Sequence, residues 1–385
     1  MSAPRTPPKV PRPEPAPIVE TPAPALAHAG ATPVVTPAGP GESIVTFLWR
    51  DAEAEEVLLF VNRITDERRL ADSLMRRVPG SDLWHLSYRM RSDWRASYGF
   101  VPRTPGRPWA GAEGGQLAIR RALDGARADP RNPASCRNRA GTSLSVVSLP
   151  DAPPQPWLAR RGRLAARGTV GAHAGPDGRT VRVYEPAVPG DGPLPVAIVL
   201  DGEVWTGVQD LATTVDNLLD DGELRPSLLV MPESGGRDRR WEELGAGDGP
   251  DWLADALLPW ARARWPLSDD PADVVVAGQS LGALTALRTV LERPDAARGA
   301  LSQSASLWQQ DLLAAVGARD RSGIRVYQEV GSQEWVLREP NARLAAGLAA
   351  AGAELRFVEY DGGHDYACWR GGIADGLRYL LGTWA

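Results

Sequence analysis

The segment from residue 274 to residue 292 constrains the fold of this chain more than any other. Residues 274–277 are four apolar residues that predict a buried strand, and residues 281–292 predict a helix. Between the two stands Gly278-Gln279-Ser280-Leu281-Gly282, a GxSxG sequence in the strand–turn–helix context of a nucleophile elbow. A chain with 40 glycines can match GxSxG by chance, but the strand before it and the helix after it make that explanation much weaker. The segment therefore predicts a serine nucleophile, Ser280, at the end of a sheet strand.

After about residue 166 the chain alternates between two kinds of segment. Short, mostly apolar runs predict strands buried on both faces at 180–184, 196–200, 227–231, 274–277, 299–303, 324–330 and 355–359. The segments between them have helical periodicity, at 208–219, 252–264, 281–292, 307–316, 341–351 and 371–381. Because strands that alternate with helices predict a mostly parallel sheet, we assign residues 166–385 to an α/β domain, here an α/β-hydrolase catalytic domain.

The first part of the chain has a different texture. Short β-rich runs at 44–49, 57–61, 83–88 and 96–101, separated by Gly, Asp and Pro, predict an N-terminal β-sandwich over residues 42–150. Residues 103–165 read as loop-like, and 151–165 as the linker between the domains. Residues 1–41 are rich in Pro and Ala and lack any period, which predicts a disordered tail.

Composition excludes several classes of function. The chain has 43 Lys and Arg against 48 Asp and Glu, a net charge of −5, whereas a nucleic-acid-binding protein normally shows a basic excess. No run of about 18 apolar residues predicts a transmembrane helix. No apolar signal segment stands near the N-terminus, so we expect a cytoplasmic protein. The two cysteines form neither a disulfide framework nor a metal site by themselves, and no flavin or nicotinamide fingerprint is present.

A serine nucleophile needs a base and an acid. Of the four histidines, only His364 follows Ser280, as the order Ser–acid–His of α/β-hydrolases requires, and it stands in a Gly-rich loop after the predicted strand 355–359. Glu334 is the candidate acid, because it lies in the turn after the strand 324–330. The alternative for Glu334 is an ordinary solvated loop carboxylate.

The oxyanion of an acyl-transfer reaction needs two backbone donors. The Leu281 amide stands at the start of the helix that follows Ser280. The second donor is expected from Gly202 or Glu203, in the turn after the strand 196–200. An equally good interpretation of this turn is a glycine at positive φ with no catalytic role.

Eight blocks of sequence together resemble one family, the enterochelin (enterobactin) esterases, of the esterase D branch of α/β-hydrolases. They are VTFLWRD at 45–51, DWRASYGFVP at 93–102, DPRN at 129–132, LDGEVW at 200–205, AGQSLGALTAL at 277–287, LSQSASLW at 301–308, EVGSQEWVL at 329–337 and DGGHDYACWRGG at 361–372. The resemblance implies a β-sandwich before the catalytic domain, and hydrolysis of the trilactone of ferric enterobactin or a related catecholate siderophore. It implies Ser280 as nucleophile, His364 as base and Glu334 as acid. Leu281 stands where the best-known members have Phe, and Ala305 where Gly is expected between two serines.

The expected substrate has its own chemical requirements. A ferric tris-catecholate is a trianion with flat rings, so cations and aromatic walls should bind it, and Arg suits both because it pairs with oxygens and stacks on rings. The candidates near the strand-end loops are Arg240 and Arg370, with Arg237 and Arg239 beside the first, and Trp205, Trp241, Trp308, Trp335 and Trp369. The alternative for each Trp is a place in the core. No cofactor is expected, since iron enters only as part of the siderophore.

Two other functions stay open at this point. One is another ester hydrolase of the same branch, acting on feruloyl or acetyl esters. The other is a siderophore-binding protein without catalysis, against which the complete set of Ser280, His364 and Glu334 argues. Neither the preferred siderophore nor the oligomeric state follows from the sequence.

Overall fold

The computed structural model describes residues 18–19, 31–66, 68–104, 122–123, 125–188, 192–245, 247–317 and 319–383. The chain divides into two compact units. The α/β unit contains Gln155–Glu359 and Trp369–Ala385, and the sandwich unit contains Pro11–Pro154 and Tyr360–Cys368. In the described part of the chain, none of the helices has both the length and the apolar character that crossing a membrane requires.

Among the described residues, the sandwich unit has eight strands in two antiparallel sheets. In chain order they are β1 (Val34–Gly39), β2 (Glu42–Arg50), β3 (Glu56–Val61), β4 (Arg76–Arg77), β5 (Leu83–Arg91), β6 (Arg95–Arg103), β7 (Ser135–Arg137) and β8 (Ser143–Ser148), with a 3-10 turn at Leu70–Ser73. One sheet has the order β1-β2-β5-β4 and the other β3-β6-β8-β7. Phe47 of the first sheet and Tyr98 of the second pack edge to face at 4.8 Å in a shared core. The predicted β-sandwich is confirmed.

The sequence underestimated the extent of this sandwich. The predicted disordered tail reached residue 41, but residues 34–39 form β1 and pair with β2 from Val34 opposite Thr46. Most of residues 1–30 lie outside the described residues. The predicted loop-like stretch 103–165 contains β7 and β8, and 105–121 again lie outside the description. Both misses have one cause: these strands are short and rich in Ser, Thr or Pro, so their apolar alternation is weak.

The α/β unit is built on one eight-stranded sheet. Its strands are β9 (Thr169–Ala174), β10 (Thr180–Glu185), β11 (Val196–Val199), β12 (Leu228–Pro232), β13 (Val274–Gln279), β14 (Gly299–Gln303), β15 (Arg325–Gly331) and β16 (Glu354–Tyr360). They lie in the order β9-β10-β12-β11-β13-β14-β15-β16. Strands β11 to β15 pair in parallel, and β10 runs antiparallel to both of its neighbours. This is the sheet of an α/β-hydrolase, as predicted.

Helices connect these strands and cover the sheet. They are α1 (Gly202–Gly207), α2 (Leu211–Asp220), α3 (Arg237–Leu244), α4 (Gly249–Trp252), α5 (Leu258–Arg262), α6 (Leu281–Glu292), α7 (Leu313–Gly317), α8 (Arg338–Ala350) and α9 (Tyr366–Leu381), with a π-helical turn at Leu253–Leu257 and a 3-10 turn at Pro271–Asp273. Val196 and Val274 of the strands belong to the same buried hydrophobic cluster as Leu257 of the π-helical turn and Ala286 of α6. The predicted strands of this unit are confirmed. The segment around Arg237 and Arg240, interpreted as a loop, is helix α3.

Candidate active site

Ser280 occupies a strained turn between a strand and a helix. Strand β13 ends at Gln279 and α6 begins at Leu281, so Ser280 alone makes the turn, with φ 58° and ψ −112°. A non-glycine residue rarely adopts this backbone conformation, and holding it costs of order 1–3 kcal/mol. Gly278 permits the turn, because a Cβ atom at that position would lie 2.5 Å from the backbone of Gly282. The predicted strand–turn–helix geometry around Ser280 is present.

The neighbouring strand holds Ser280 in place. The Ser280 amide donates to the Gln303 carbonyl at 3.0 Å, and the Ser306 amide donates to the Ser280 carbonyl at 3.1 Å. The hydroxyl groups of Ser280 and Ser306 are hydrogen-bonded at 3.0 Å. Gln303 ends β14, so the loop that follows this strand supports the elbow from the side. Ser306 was not singled out from the sequence, although it belongs to the LSQSASLW block.

The Glu334 carboxylate is buried and hydrogen-bonded within the protein, and it is not solvated. Only 1% of the residue is exposed. Its Oε1 accepts hydrogen bonds from the Ser304 hydroxyl at 2.5 Å and from the Gly331 amide at 2.9 Å. The Trp369 indole donates to the same Ser304 hydroxyl at 3.0 Å. Backbone and side-chain donors therefore fix the orientation of this carboxylate, which excludes the alternative of a solvated loop group.

The turn after β11 lies beside the elbow. Strands β11 and β13 are parallel neighbours, with Val199 opposite Ala277, so the turns that follow them meet at one edge of the sheet. Asp201 makes the turn with φ 62°, and α1 begins at Gly202. A Cβ atom on Gly202 would lie 2.2 Å from the Met231 carbonyl oxygen, so close packing against β12 requires a glycine here. Gly202 and Glu203 begin their helix just as Leu281 begins α6, and the first amides of a helix have no partner within it.

Arg240 braces this turn. Its guanidinium makes two hydrogen bonds of 2.7 Å to the Asp201 carboxylate and one of 3.3 Å to the Gln279 carbonyl. The Asp201 side chain is fully buried and that of Arg240 is 12% exposed. From the other side, Glu203 accepts hydrogen bonds from the amide and the hydroxyl of Ser234. One cation thus joins the turn after β11 to the residue that precedes Ser280.

The remaining arginines of the expected cationic cluster differ in their surroundings. Arg239 is ion-paired with Asp177 and Glu243, and Arg237 is exposed at the start of α3. Arg370 is half-buried, with its Nε 3.4 Å from the Gln155 amide oxygen. The arginines after β12 therefore do not form one cluster that faces solvent, because Arg239 and Arg240 are ion-paired within the protein. Arg370 lies on a separate element, α9.

The five tryptophans fall into two groups. Trp205 and Trp369 are 1% and 3% exposed, and their indoles donate to the Gln279 and Ser304 side chains. Substrate contact was the wrong interpretation for these two, because they are core residues that support the strand-end loops. The other three, Trp241, Trp308 and Trp335, are partly exposed. Trp241 and Trp308 pack together, with their ring centroids 6.2 Å apart. These three keep an accessible surface.

A ladder of buried polar side chains runs behind the elbow. Gln279, Gln303 and Glu329 stand opposite one another on β13, β14 and β15. The Gln279 amide donates to Gln303 at 2.7 Å, and the Gln303 amide donates to Glu329 at 2.7 Å. Burial raises the pKa of Glu329 to about 8, so the carboxyl is mostly protonated at neutral pH. This ladder was not predicted, and its signal in the sequence is a Gln or Glu near the end of each of three successive strands of the sheet.

His364 lies in the segment Tyr360–Cys368, which belongs to the sandwich unit. Its carbonyl accepts a hydrogen bond of 3.1 Å from the Asn62 side-chain amide. The next residue, Asp365, accepts from the Ser97 amide at 2.6 Å. Within the described ranges, no group of three or more His, Cys, Asp or Glu side chains is arranged to hold a metal ion.

Comparison with known proteins adds an independent result to this geometry. Residues 44–158 match the family model "Enterochelin esterase, N-terminal", and residues 173–380 match "Putative esterase". The chain is 32% identical to the iron(III) enterobactin esterase of Dickeya dadantii, over 91% of this chain and 90% of that protein. This chain belongs to the enterobactin esterase family. It is accordingly a carboxylic ester hydrolase.

Other members of the enterobactin esterase family agree over the same extent. The iron(III) salmochelin esterase of Escherichia coli is 30% identical, over 91% of each chain. The ferric enterobactin esterase of Salmonella typhimurium superimposes with a TM-score of 0.79 at 29% identity, over 90% of this chain and 95% of that one. The enterobactin esterase of Shigella flexneri, solved in the presence of enterobactin, gives 0.75 at 28% identity with the same coverage. The likeness to this family covers both units of the chain.

Proposed function

We propose that this chain hydrolyses the ester bonds of the trilactone of ferric enterobactin, or of a related catecholate siderophore. The observation that carries the proposal is the strained Ser280 turn, which places a hydroxyl at the carboxyl edge of the sheet. Enterobactin and salmochelin esterases are among the relatives that align over both units. A feruloyl or acetyl esterase is not favoured by these relatives, and a binding protein has no need of a strained serine.

The reaction divides into acylation and deacylation. Ser280 Oγ attacks a lactone carbonyl carbon while His364 takes the hydroxyl proton, and the tetrahedral intermediate collapses as the ester C–O bond breaks. His364 returns the proton to the departing oxygen, which becomes the hydroxyl group of a substrate serine. Water then gives a proton to His364 and attacks the acyl carbon, and His364 returns that proton to Ser280 Oγ as the acyl–Oγ bond breaks. The products are a free carboxylic acid and regenerated Ser280.

Other groups support these two steps. The amides of Leu281 and of Gly202 or Glu203 stabilise the oxyanion, and losing one such donor typically costs a factor of 10²–10³ in kcat. Glu334 holds the tautomer of His364 and stabilises its imidazolium form. Arg370, Arg240 and the partly exposed tryptophans Trp241, Trp308 and Trp335 are the candidate contacts to the anionic, flat substrate, with Arg240 also bracing the oxyanion turn.

Chromatography of the products of ferric enterobactin tests the proposal. The wild type should release linear and monomeric dihydroxybenzoyl-serine, and Ser280→Ala should lose turnover by about 10⁵-fold or more while still binding the substrate. Ser322→Ala is the matched control, because Ser322 is an exposed serine of the same unit. It should turn over like the wild type.

Three other results would each change the conclusion. Tight binding without cleavage by the wild type would favour a sequestration protein. Cleavage of aryl or acetyl esters, but not of enterobactin, would favour another substrate class. Equal cleavage by the wild type and Ser280→Ala would remove Ser280 from the mechanism.

A further inference from the structure

The loop that carries His364 completes a strand edge of the sandwich. Strand β3 pairs with β6 only as far as Val61 opposite Tyr98, which leaves the first residues of β6 without a strand on that side. The loop takes this place. The Arg95 amide donates to the Asp361 carbonyl at 3.0 Å, and the Ser97 amide donates to the Asp365 carboxylate at 2.6 Å. These amides are thereby satisfied by the loop itself.

Asn62, the first residue after β3, holds the histidine directly. Its amide nitrogen donates to the His364 carbonyl at 3.1 Å, and its backbone amide donates to the Ser97 carbonyl at 3.0 Å. Its side-chain oxygen is buried and finds no hydrogen-bond partner among the described residues. A buried amide with one orphaned atom contributes little to folding, since the cost of the unmade bond offsets the gain of the bond that forms. Stability alone is therefore a poor reason for an asparagine here.

Gly363 shows how closely the loop lies on this surface. A Cβ atom at this position would lie 2.6 Å from the Asn62 side-chain oxygen and 2.5 Å from the Arg63 side chain. Arg63 itself has φ 62°. Glycine therefore allows the loop to approach Asn62 closely enough for the bond to the next residue, His364.

We propose that the N-terminal sandwich is a positioning element for the catalytic base, with Asn62 as the positioning residue that fixes the backbone of His364. This rests on the role of His364 in the proposed function. A general base must hold its geometry within about 0.5 Å to be effective, and a misplacement of about 1 Å can cost 10²-fold in rate. The sandwich thus contributes to turnover through the loop that it carries, whatever it contributes to binding.

The test is a kinetic comparison of Asn62→Ala with Asn138→Ala, using the full-length protein. Asn138 is also an asparagine of the sandwich with a hydrogen bond to the backbone, but it lies in the β7–β8 turn. Each protein is assayed with ferric enterobactin and with p-nitrophenyl butyrate, a small ester that needs the same serine chemistry without the siderophore contacts. Asn62→Ala should lower kcat by about tenfold or more for both esters, with KM within about twofold. Its Tm should fall by less than about 4 °C, and Asn138→Ala should resemble the wild type.

The alternatives give different results. A kcat of Asn62→Ala within twofold of the wild type would overturn the proposal. So would a raised KM for ferric enterobactin with unchanged hydrolysis of p-nitrophenyl butyrate, because Asn62 would then be a substrate contact. If Asn62→Ala unfolds, Gly363→Ala takes its place. This substitution displaces the loop that carries His364 and leaves the Asn62 side chain in the protein. An unchanged kcat in Gly363→Ala would equally overturn the proposal. If the wild type cleaved p-nitrophenyl butyrate but not ferric enterobactin, the proposed substrate would be contradicted, and the comparison of Asn62→Ala with Asn138→Ala could still be made with the small ester. If the wild type cleaved neither ester, the proposed function and the positioning role of Asn62 would both be contradicted.

Discussion

The nucleophile and its expected base are held by opposite means. Ser280 makes the turn between β13 and α6, and the hydroxyl that it contacts, that of Ser306, is 26 residues away in the loop after β14. The His364 loop is anchored by Asn62 and Ser97; Asn62 is 302 residues from His364, and Ser97 is 268 residues from its own partner, Asp365. The elbow is a product of one sheet, whereas the histidine loop takes its shape from the other unit of the chain.

This difference explains why α/β-hydrolase motifs identify a nucleophile so easily. A strand, a glycine and a helix are sufficient to form the strained turn, so the sequence around Ser280 is enough to predict it. The loop between β16 and α9, which carries His364, has no comparable local constraint.

The largest effects are expected from loss of the acid or of the base in the proposed triad. Glu334→Ala should lower kcat by about 10³-fold, because loss of the acid leaves the His364 tautomer and imidazolium unsupported. His364→Ala should cost more, since the base itself is lost. Rates of ferric enterobactin hydrolysis measure both, and Glu339→Ala, an exposed glutamate on α8, is the control. An unchanged rate in Glu334→Ala would remove Glu334 from the mechanism.

Local sequence was sufficient for the elbow and for most of the sheet. Helix α6 was predicted at 281–292 and is found at Leu281–Glu292, because a run of good helix formers follows a glycine-bounded turn. The strands β10 to β16 were found within a few residues, since most of them are rich in apolar residues and are bounded by polar turns. Both regions are determined by residues close together in the chain.

Long-range partners could not be predicted in the same way. Whether an arginine faces substrate or a buried carboxylate depends on which residue meets it, and Asp201 meets Arg240 from 39 residues away. Whether a tryptophan is core or surface depends on packing: Trp205 and Trp308 both follow strand ends, and only the first is fully buried. Sequence motifs therefore predict which residues lie near the site, but the contacts that these residues make depend on the tertiary structure.

A middle-sized effect should follow from breaking the brace on the oxyanion turn. Arg240→Ala removes the cation that pairs with the buried Asp201 carboxylate, so the free energy of unfolding should fall by about 3 kcal/mol. The loosened turn should lower kcat by about 10–30-fold, with KM little changed. Urea unfolding and kinetics at low and high salt measure these quantities.

The same variant separates two roles for Arg240. A substrate contact, as expected from the sequence, would instead raise KM, and the increase would shrink at high salt because exposed charges are screened. Arg370→Ala is the comparison, since Arg370 is half-buried and its Nε faces the neutral Gln155 amide. Unchanged stability in Arg240→Ala, together with a salt-sensitive KM, would show that the brace to Asp201 is unimportant.

The smallest effect on activity is expected at Glu329, where stability should respond instead. The folded state keeps the Glu329 proton up to a pKa of about 8, whereas the unfolded chain releases it near 4.5. The folded state thus binds more protons between these values, so Glu329 makes stability fall as pH rises through that window. Glu329→Gln is neutral at every pH and still accepts from Gln303, so kcat should stay within about twofold of the wild type. Urea unfolding at pH 5, 6, 7 and 8 should show the variant gaining stability relative to the wild type with each step, because all other carboxylates cancel in the difference. A constant difference across this range would mean that Glu329 is ionised behind the elbow, and that the ladder supports Ser280 with a charge rather than with neutral hydrogen bonds.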